Sequence, residues 1–347
     1  MKRSRWMVGT VRTLKNMSKR KAQRSVTALS LFCGAGGMDL GFEKAGVEVL
    51  ASVDFDDYCR QTFEMNGRGE RFHHMEVREY LRQNHREIAR LRIDIVFGGP
   101  PCQGFSTSGK RDPKDPRNKL WLDFIKAVEI ARPKIVVFEN VPGLAAGHGL
   151  NVLSQIIEKL NRLGYNTHWE ILNSADFGVP QSRKRLILIG ALPGIDTDVI
   201  LRQGSYRHIG VAEVLDPLKR LKGLHNHEKP VNHPRVRARW RNLAPGESDA
   251  NFKRVRLDPL RPSPTIRAGG QYSPGRNGLA HLGGFHPPFH HSEPRQLTVR
   301  EAAVLQGFPI KYRFAGTRTM AGRQVGNAVP VGMAKEIAKR ILGVLRG

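Results

Sequence analysis

The chain has 347 residues, of which 39% are hydrophobic, and its 57 Lys and Arg against 31 Asp and Glu give a net charge of +26. This length predicts about two domains with enough apolar material for a real core, which excludes disorder along the whole chain. The three cysteines form no even, closely spaced set, so neither a disulfide framework nor a four-cysteine zinc site is expected. No apolar run is long enough to cross a membrane, and the first 25 residues lack the apolar core of a secretory signal, so a secreted or membrane-spanning protein is not expected. A protein of a reducing compartment is therefore expected.

The positive charge is unevenly distributed along the chain. The net charge is +9 in residues 1–25, +2 in residues 26–190, +8 in residues 191–296 and +7 in residues 297–347. Such an excess favours polyanions, nucleic acid above all. We interpret residues 1–25 as a basic N-terminal arm that could touch phosphates, with a disordered tail or a transit peptide as alternatives. The binding surface is expected in the C-terminal half.

From residue 27 onward, Val/Ile-rich strands alternate with helices. Their apolar runs are too continuous for half-buried strands, which predicts a doubly wound, mostly parallel α/β sheet covered on both faces. The predicted strands are Thr27–Cys33, Val47–Val53, Ile93–Gly99, Lys134–Asn140, Tyr165–Leu172 and Arg185–Ile189. The predicted helices between them are Met38–Ala45, Asp56–Asn66, Leu120–Ala131 and Leu150–Leu163.

The regular alternation ends near residue 192. Residues 193–296 are rich in Pro, Gly, Arg and His, and they predict a smaller, loop-rich domain with short strands such as Thr265–Ala268. Helices are predicted again at Thr298–Gln306 and Val329–Leu345. We expect the last of these, in a C-terminal segment of residues 297–347, to return to the first domain, residues 26–192.

The first strand leads into a glycine-rich turn, where an open α/β sheet binds nucleotides. The turn is not a P-loop, and it is not G-x-G-x-x-G either, because Asp39 occupies the third glycine position. Asp54 follows Gly34 by 20 residues, at the end of the second strand, where a carboxylate can accept both ribose hydroxyls. Phe55 could stack on an adenine. A purely structural turn is the alternative.

A second motif, GGPPCQGFSTSGKR, follows the third predicted strand. Its Cys102 comes after two prolines that stiffen the loop, and the nearby Lys110 and Arg111 favour an ionised thiol. Glu139 ends the next strand on the same rim, so a nucleophilic thiol and a carboxyl able to protonate a ring nitrogen would face one cleft. A buried core cysteine and a glutamate that only binds loop amides are the structural alternatives.

A third motif, QSRKRLILIG, begins at Gln181. Gln181, Arg183 and Arg185 alternate along it, which predicts that all three lie on one face of a strand. Contact with a base or a phosphate is expected there, and a solvated charged edge is the alternative.

In order and spacing, these segments resemble the motifs of the cytosine-5 DNA methyltransferases. The matching segments are FCGAGG, the acidic end of the second strand, GGPPCQGFS, ENV, QSRKR, REAAVLQGFP (Arg300–Pro309) and VGNAVP (Val325–Pro330). The resemblance spans about residues 28–345 and is interrupted where that family has its variable target-recognition region. It implies a Rossmann-like catalytic and cofactor-binding domain at residues 26–192 and a target-recognition domain at residues 193–296.

The resemblance also implies the reaction. A methyl group of S-adenosylmethionine, which becomes S-adenosylhomocysteine, is transferred to C5 of a cytosine flipped out of duplex DNA. Cys102 would add to C6, Glu139 would bind the N3 edge, and Arg183 and Arg185 would hold the base carbonyl and the backbone. The implied cofactor-binding residues are Phe32, Gly34, Ala35, Gly36, Gly37, Asp54, Phe55, Glu76, Pro101 and Asn327. The implied DNA-binding residues are Gln103, Ser106, Gln181, Thr265, Arg235 and Arg237, and no metal is implied.

Two positions depart from the family pattern. Met75-Glu76 stands where Gly-Asp is frequent, so Glu76 is the nearest equivalent of that acidic residue. Cys33 replaces a more frequent Ala or Ser and is interpreted as a packing residue. The short region 193–296 favours one recognition specificity rather than several. We expect a cytoplasmic, nucleoid-associated monomer, alongside a cognate restriction endonuclease that acts on the same DNA word without a stable complex.

Three alternatives stay open at this point. A tRNA cytosine-5 methyltransferase is disfavoured because its relatives carry a Cys-Phe-Thr tripeptide that is absent here. An NAD-dependent oxidoreductase is disfavoured by Asp39 and by the PPCQ segment. A catalytically inactive DNA-binding protein is disfavoured because Cys102, Glu139 and Arg185 are all present.

Overall fold

The computed structural model describes residues 24–101, 119–249, 254–268, 273–274, 280–281, 285 and 287–346. Its strands are β1 (Val26–Leu31), β2 (Val47–Asp54), β3 (Phe72–His74), β4 (Ile95–Gly98), β5 (Ile135–Asn140), β6 (Asn166–Asn173), β7 (Gln181–Ser182), β8 (Lys184–Ala191), β9 (Ser263–Pro264), β10 (Ser273–Pro274) and β11 (Ala280–His281). Its helices are α1 (Gly37–Ala45), α2 (Asp57–Met65), α3 (Val77–Arg90), α4 (Leu120–Ala131), α5 (Gly149–Arg162), α6 (Thr197–Leu201), α7 (Val211–Leu215), α8 (Pro234–Arg241), α9 (Val299–Leu305), α10 (Arg318–Asn327) and α11 (Val331–Arg346).

Seven of the described strands form one sheet in the order β3-β2-β1-β4-β5-β8-β6. The pairs from β3 to β5 are parallel, and β8 runs antiparallel to both of its neighbours. The predicted doubly wound, mostly parallel α/β sheet is therefore confirmed. Because the strand order reverses between β1 and β4, a crevice opens at the carboxyl ends of these two strands, where open α/β sheets bind their ligands.

The sheet is buried on both faces, as its continuous apolar runs predict. Leu29 and Leu31 of β1 pack in a cluster with α3, α4 and α5. Val26 and Ala28, which alternate with these leucines along the strand, pack in a second cluster with α1, α6 and α11. Successive side chains of a strand point to opposite faces, so one strand serves both layers. This buried frame fixes the positions of the strand ends that carry the site.

The last helix, α11, lies directly against α1. A Cβ atom at Gly41 would lie 2.5 Å from Cβ of Ala334 and 2.8 Å from the carbonyl oxygen of Val331. Only glycine therefore permits this close approach of the two helices. A third cluster joins α9 and α10 to residues of the region 193–296, among them Leu257 and Ile266. The C-terminal segment thus contacts both the first domain and the loop-rich region.

Several elements differ from the sequence-based expectation. Residues 265–268, predicted as a strand, have no regular structure, and the short strand β9 lies two residues earlier, where it pairs with β7. The helix α3 was not predicted, although Val77, Tyr80 and Leu81 are buried at helical spacing. Its many charged residues obscure that apolar stripe. The helix α10 and the strand β3 were not predicted either.

Candidate active site

The glycine turn after β1 adopts backbone conformations that favour glycine. Gly34 and Gly36 have φ angles of 53° and 77°, and Gly36 precedes the first residue of α1. A Cβ atom at Gly36 would also lie 2.9 Å from the Phe63 ring. Phe32 adopts a φ of 54° despite its side chain, a strained conformation of the kind found at ligand sites. The backbone N–H groups of this turn lie at the N-terminus of a helix, where an anionic or polar ligand group is favoured.

Asp54 lies beside this turn, at the end of β2. Its carboxylate accepts hydrogen bonds from the backbone N–H of Gly34 at 2.8 Å and of Asp56 at 3.0 Å. Burial raises the pKa of Asp54 to about 6, although the backbone hydrogen bonds oppose this rise. The carboxylate is therefore ionised at neutral pH and has lone pairs left for hydroxyl donors.

Phe55 and Glu76 flank Asp54 on the same edge of the sheet. The Phe55 ring is 59% exposed, and an imidazole nitrogen of His74 lies 2.9 Å from the Phe55 carbonyl oxygen. The Met75 N–H donates to the Asp54 carbonyl oxygen at 3.2 Å, which brings the exposed Glu76 next to Asp54 along the rim. An exposed aromatic ring beside a half-buried carboxylate is a suitable platform for an adenosine.

Asp39, the residue that departs from the dinucleotide-binding pattern, has a structural role. It is fully buried and accepts hydrogen bonds from the hydroxyl groups of Ser30 at 3.0 Å and Ser52 at 2.6 Å. One carboxylate therefore ties α1 to both β1 and β2. The two serines, which point inward from apolar strands, are the sequence signal that would have revealed this role.

The carboxyl end of α10 meets the glycine turn from the other side. A Cβ atom at Gly37 would lie 2.5 Å from the carbonyl oxygen of Val329, and the Tyr312 hydroxyl donates to the Ala35 carbonyl at 2.7 Å. Asn327 ends α10 two residues before Val329 and has an exposed side chain. The predicted cofactor-binding residues thus come together from both ends of the chain.

The strand β4 leads towards the predicted nucleophile. Pro101 is half-buried, and the side-chain amide of Asn140 donates to the Pro100 carbonyl at 3.0 Å. This bond fixes the end of β4 beside the end of β5. Cys102, Gln103 and Ser106 lie outside the described residues. Pro101, the last described residue before Cys102, therefore lies beside the strand that carries Glu139.

Glu139 and Arg185 form a buried ion pair at this edge. Nε of Arg185 donates to Oε1 of Glu139 at 2.8 Å, and the two residues are only 9% and 8% exposed. A Cβ atom at Gly99 would lie 2.6 Å from Oε2 of Glu139, so the glycine leaves room for the carboxylate. Burial raises the pKa of Glu139, and the charges of Arg185 and Arg183 partly oppose this rise. Such a carboxyl group is suited to holding or sharing a proton.

Gln181, Arg183 and Arg185 do not lie on one strand, contrary to the expectation from their alternation. The strand is interrupted at Arg183. Gln181 therefore belongs to β7 in a small sheet, and Arg185 belongs to β8 in the main sheet. The Arg183 guanidinium donates to the carbonyl oxygens of Ile266 at 2.9 Å and Gly326 at 2.8 Å. The two arginines, for which the sequence predicts the same environment, therefore have different partners in the structure.

The predicted DNA-binding residues outside these strands lie in two places. The hydroxyl of Thr265 donates to the Ser182 carbonyl at 3.0 Å, which holds it next to β7. Arg235 and Arg237 are exposed on α8. Two residues apart on a helix are separated by about 200°, so these arginines point to different sides. The helix is anchored by the buried Trp240, whose indole N–H donates to the His290 carbonyl at 2.9 Å.

Comparison with known proteins identifies the family. A sequence profile of the C-5 cytosine-specific DNA methylases matches residues 26–343. The chain is 34% identical over 328 residues to the type II methyltransferase M1.HphI of Haemophilus parahaemolyticus, which covers 92% of this chain and 87% of that protein. It is 31% identical over 384 residues to M.XorII of Xanthomonas oryzae pv. oryzae, with coverage of 92% and 85%.

Solved structures share the fold. A prophage protein of Escherichia coli assigned as a DNA modification methyltransferase superposes with a TM-score of 0.76 at 24% identity, covering 93% of this chain and 100% of that one. Dnmt2 of Schizosaccharomyces pombe gives a TM-score of 0.65 at 17% identity, with the same coverage of 93% and 100%. These likenesses define a Rossmann-like α/β fold.

The fold and the edge site together define a methyltransferase. The chain belongs to the C-5 cytosine-specific DNA methylase family, and it is a DNA cytosine-5 methyltransferase, an enzyme of a family that uses S-adenosylmethionine. The oxidoreductase and tRNA alternatives are not favoured by these relatives. Across the described ranges, no helix is long and apolar enough to cross a membrane. In the same ranges, no group of three His, Cys, Asp or Glu side chains is placed to hold a metal ion.

Proposed function

We propose that the enzyme methylates one cytosine within a specific word of duplex DNA, with Cys102, Glu139 and Arg185 as its catalytic residues. The observation that carries this proposal is the buried ion pair of Glu139 and Arg185, 2.8 Å apart, at the strand end next to Pro101. A buried charge pair has a desolvation cost that its mutual attraction often fails to repay, which favours a functional use of its geometry. Recognition of a flipped base by hydrogen bonds to its Watson–Crick edge is such a use.

The residues around the glycine turn fit S-adenosylmethionine. The carboxylate of Asp54 would accept the ribose hydroxyls, the exposed ring of Phe55 would stack on the adenine, and Glu76 would bind the adenine amine. Phe32, Ala35 and Asn327 border the same turn, together with its glycines. When bound, this cofactor supplies an electrophilic methyl group. The fit rests on a carboxylate and an aromatic ring presented side by side on one rim.

The reaction at the base follows from the chemistry of cytosine. C5 is a weak nucleophile until another nucleophile adds at C6, and a cysteine thiolate is the side chain best able to add at neutral pH. The Cys102 sulfur would form a bond to C6 while Glu139 hydrogen-bonds to N3 and the exocyclic amine, which stabilises the charge that develops on the ring. Arg185 orients Glu139. After C5 gains the methyl group, a base or water removes the C5 proton, and the C6–S bond breaks to release Cys102.

The remaining assignments concern the duplex and its setting. We assign target recognition to residues 193–296 and DNA contacts to Gln103, Ser106, Gln181, Thr265 and the arginines of α8. The basic arm of residues 1–25 would add contacts to phosphates. The relatives are type II methyltransferases, and we propose that the enzyme acts as a monomer beside a cognate restriction endonuclease for the same DNA word. Action on chromosomal DNA would place it with the nucleoid in the cytoplasm.

A sequencing experiment tests this function directly. Plasmid DNA from a methylation-free host is incubated with the purified protein and S-adenosylmethionine and is then sequenced after bisulfite treatment. We expect protected cytosines at one position of a single short word. Transfer of labelled methyl groups to tRNA but not to duplex DNA would contradict the proposal.

The covalent step has its own test. We expect Cys102→Ser to abolish methyl transfer while binding of S-adenosylhomocysteine and DNA is retained. In the presence of S-adenosylmethionine, duplex DNA with 5-fluorocytosine at the target position should form an adduct with the wild-type protein that survives denaturation, because after methyl transfer the fluorine at C5 cannot leave as the proton does. Cys59→Ser, at a buried thiol in α2, is the matched control and should keep turnover. Full turnover by Cys102→Ser would exclude this mechanism.

A further inference from the structure

We propose that Arg183 is a positioning residue that couples DNA binding to cofactor binding. It does so by holding the recognition segment 263–268 and the carboxyl end of α10 to the same corner of the catalytic domain. This inference rests on the proposed function, because it uses the DNA and cofactor contacts assigned there. It gives Arg183 a role different from that of Arg185, which pairs with Glu139.

The guanidinium of Arg183 bridges two distant parts of the chain. It is 1% exposed, and its Nη1 and Nη2 donate to Ile266 and Gly326, which lie 83 and 143 residues further along the sequence. A planar guanidinium can bind two carbonyl oxygens at once in a fixed geometry, which the single amine of lysine cannot reproduce. The two segments therefore share one rigid donor.

The backbone from which this side chain extends is itself fixed. The Arg183 N–H donates to the Ser174 hydroxyl at 3.2 Å, and its carbonyl accepts the Ser174 N–H at 3.1 Å. The same hydroxyl donates to the Gln181 carbonyl at 2.6 Å. The corner between β7 and β8 is thus closed by Ser174, and the guanidinium has little freedom to follow a segment that moves away.

On the DNA side, the segment 263–268 depends on this corner at several points. The strand β9 pairs with β7, the Thr265 hydroxyl donates to the Ser182 carbonyl at 3.0 Å, and the Ile266 N–H donates to Oε1 of Gln181 at 3.4 Å. Thr265, an assigned DNA contact, directly precedes Ile266, whose carbonyl group Arg183 binds. A change in DNA contact at Thr265 is therefore transmitted to Arg183.

On the cofactor side, Gly326 directly precedes Asn327, the assigned cofactor contact at the end of α10. A Cβ atom at Gly326 would clash with the backbone nitrogen of Ala268, so the helix end and the recognition segment touch without a side chain between them. Val329 continues from this helix end to the glycine turn, where its carbonyl oxygen packs on Gly37. Arg183 thus lies between the two ligand sites and is bonded to a neighbour of each.

Two buried donors at this corner find no acceptor among the described residues, Nε of Arg183 and Nε2 of Gln181. Unpaired donors in a buried position cost free energy and call for an explanation, and an acceptor supplied by a bound ligand is one such explanation. An oxygen of the bound nucleotide is an acceptor of the right kind. The corner is therefore more favourable with DNA bound, and that difference in free energy is what coupling requires.

Binding measurements without turnover test the coupling. S-adenosylhomocysteine is titrated by calorimetry into the free protein and into its complex with a duplex of the methylated word. We expect DNA to tighten its binding by about tenfold, within the usual range of coupling between two sites. In Arg183→Lys this factor should fall below about threefold, while each ligand alone changes its affinity by less than about threefold. The reverse titration, DNA with and without S-adenosylhomocysteine, must give the same factor.

Two further variants keep the test decisive. Arg261→Lys, at an 82% exposed side chain of the neighbouring segment, is the matched control and should keep the wild-type coupling. Gly326→Ala forces the helix end away from Ala268 and should reduce the coupling even if Arg183→Lys does not fold. Wild-type coupling in a folded Arg183→Lys overturns the proposal, as does wild-type coupling in Gly326→Ala where Arg183→Lys does not fold, and so does an uncoupled wild-type protein. Because no turnover is needed, this failure is distinct from a lack of DNA methylation in the bisulfite reads.

Discussion

Charged residues occur in two contrasting regions, the carboxyl edge of the sheet and the helix α8. At the edge, Glu139 and Arg185 are buried together, and burial shifts the pKa of both, upward for the glutamate and downward for the arginine. On α8, Arg235 and Arg237 are exposed. The edge therefore gives fixed geometry at a desolvation cost, whereas α8 gives attraction that solvent and salt screen.

The contrast implies different experimental signatures. Loss of a buried charge at the edge should change the rate or the affinity for one ligand by a large factor. Loss of an exposed charge on α8 should change DNA affinity modestly and mainly its dependence on salt. If both regions gave the same signature, burial would not separate their roles.

The largest effect is expected for Glu139→Gln. The amide keeps the shape and can still accept a hydrogen bond from Arg185, but it cannot hold the proton shared with N3. We expect the single-turnover rate of methyl transfer to fall by about 10²–10⁴-fold, the usual contribution of an acid–base group. Binding of S-adenosylhomocysteine should stay near the wild-type value. Glu129→Gln, at a half-exposed residue of α4, is the control, and a wild-type rate in Glu139→Gln would remove the catalytic role.

Asp54→Asn should give a smaller effect, and one confined to the cofactor. The asparagine can still accept the Gly34 N–H, but it lacks the charge and one acceptor for the ribose hydroxyls. Hydrogen bonds to charged groups contribute about 1.5–3 kcal/mol, so we expect affinity for S-adenosylhomocysteine to fall roughly tenfold or more. Calorimetry measures this directly. Asp57→Asn, at an exposed carboxylate of α2, should leave the affinity unchanged.

The same residue predicts a pH dependence. The pKa of Asp54 is raised to about 6, so its carboxylate takes up a proton as the pH falls through 6 and then accepts hydroxyl donors less well. We expect the affinity of the wild-type protein for S-adenosylhomocysteine to be constant above pH 7 and to decline between about pH 6.5 and 5. Asp54→Asn should show a flat profile over that range. A wild-type profile that stays flat would exclude Asp54 as the ribose contact.

The edge of the sheet was predictable because its signals are local in sequence. Apolar strands, the glycines at Gly34 and Gly36 and the acidic ends at Asp54 and Glu139 together place the site without any long-range information. Arg183 was not predictable in this way, since its partners lie 83 and 143 residues away. The interruption of the strand at Arg183 puts Gln181 and Arg185 in different sheets. It also depends on the distant strand β9, with which β7 pairs.

For the region 193–296, the sequence predicts the charge but not the geometry. Its net charge of +8 indicates a polyanion, but charge carries no information on geometry. The alternating arginines from Arg235 onward fit a strand as well as a helix. The structure makes them a helix, because Pro234 occupies its first turn and Trp240 anchors its inner side. The polar faces of α8 are therefore set by one buried aromatic residue.

The smallest effect is expected for Arg235→Ala on α8. Removal of one phosphate-neutralising charge should weaken DNA binding a few-fold and lower the slope of log affinity against log salt by about 1. The rate at saturating DNA should stay near the wild-type value, because none of the proposed catalytic residues lies on α8. Arg162→Ala, at an exposed arginine of α5, is the matched control and should leave the slope unchanged. If Arg235→Ala instead broadened the methylated word in bisulfite reads, α8 would read bases as well as phosphates, and the contrast with the buried edge would extend to specificity.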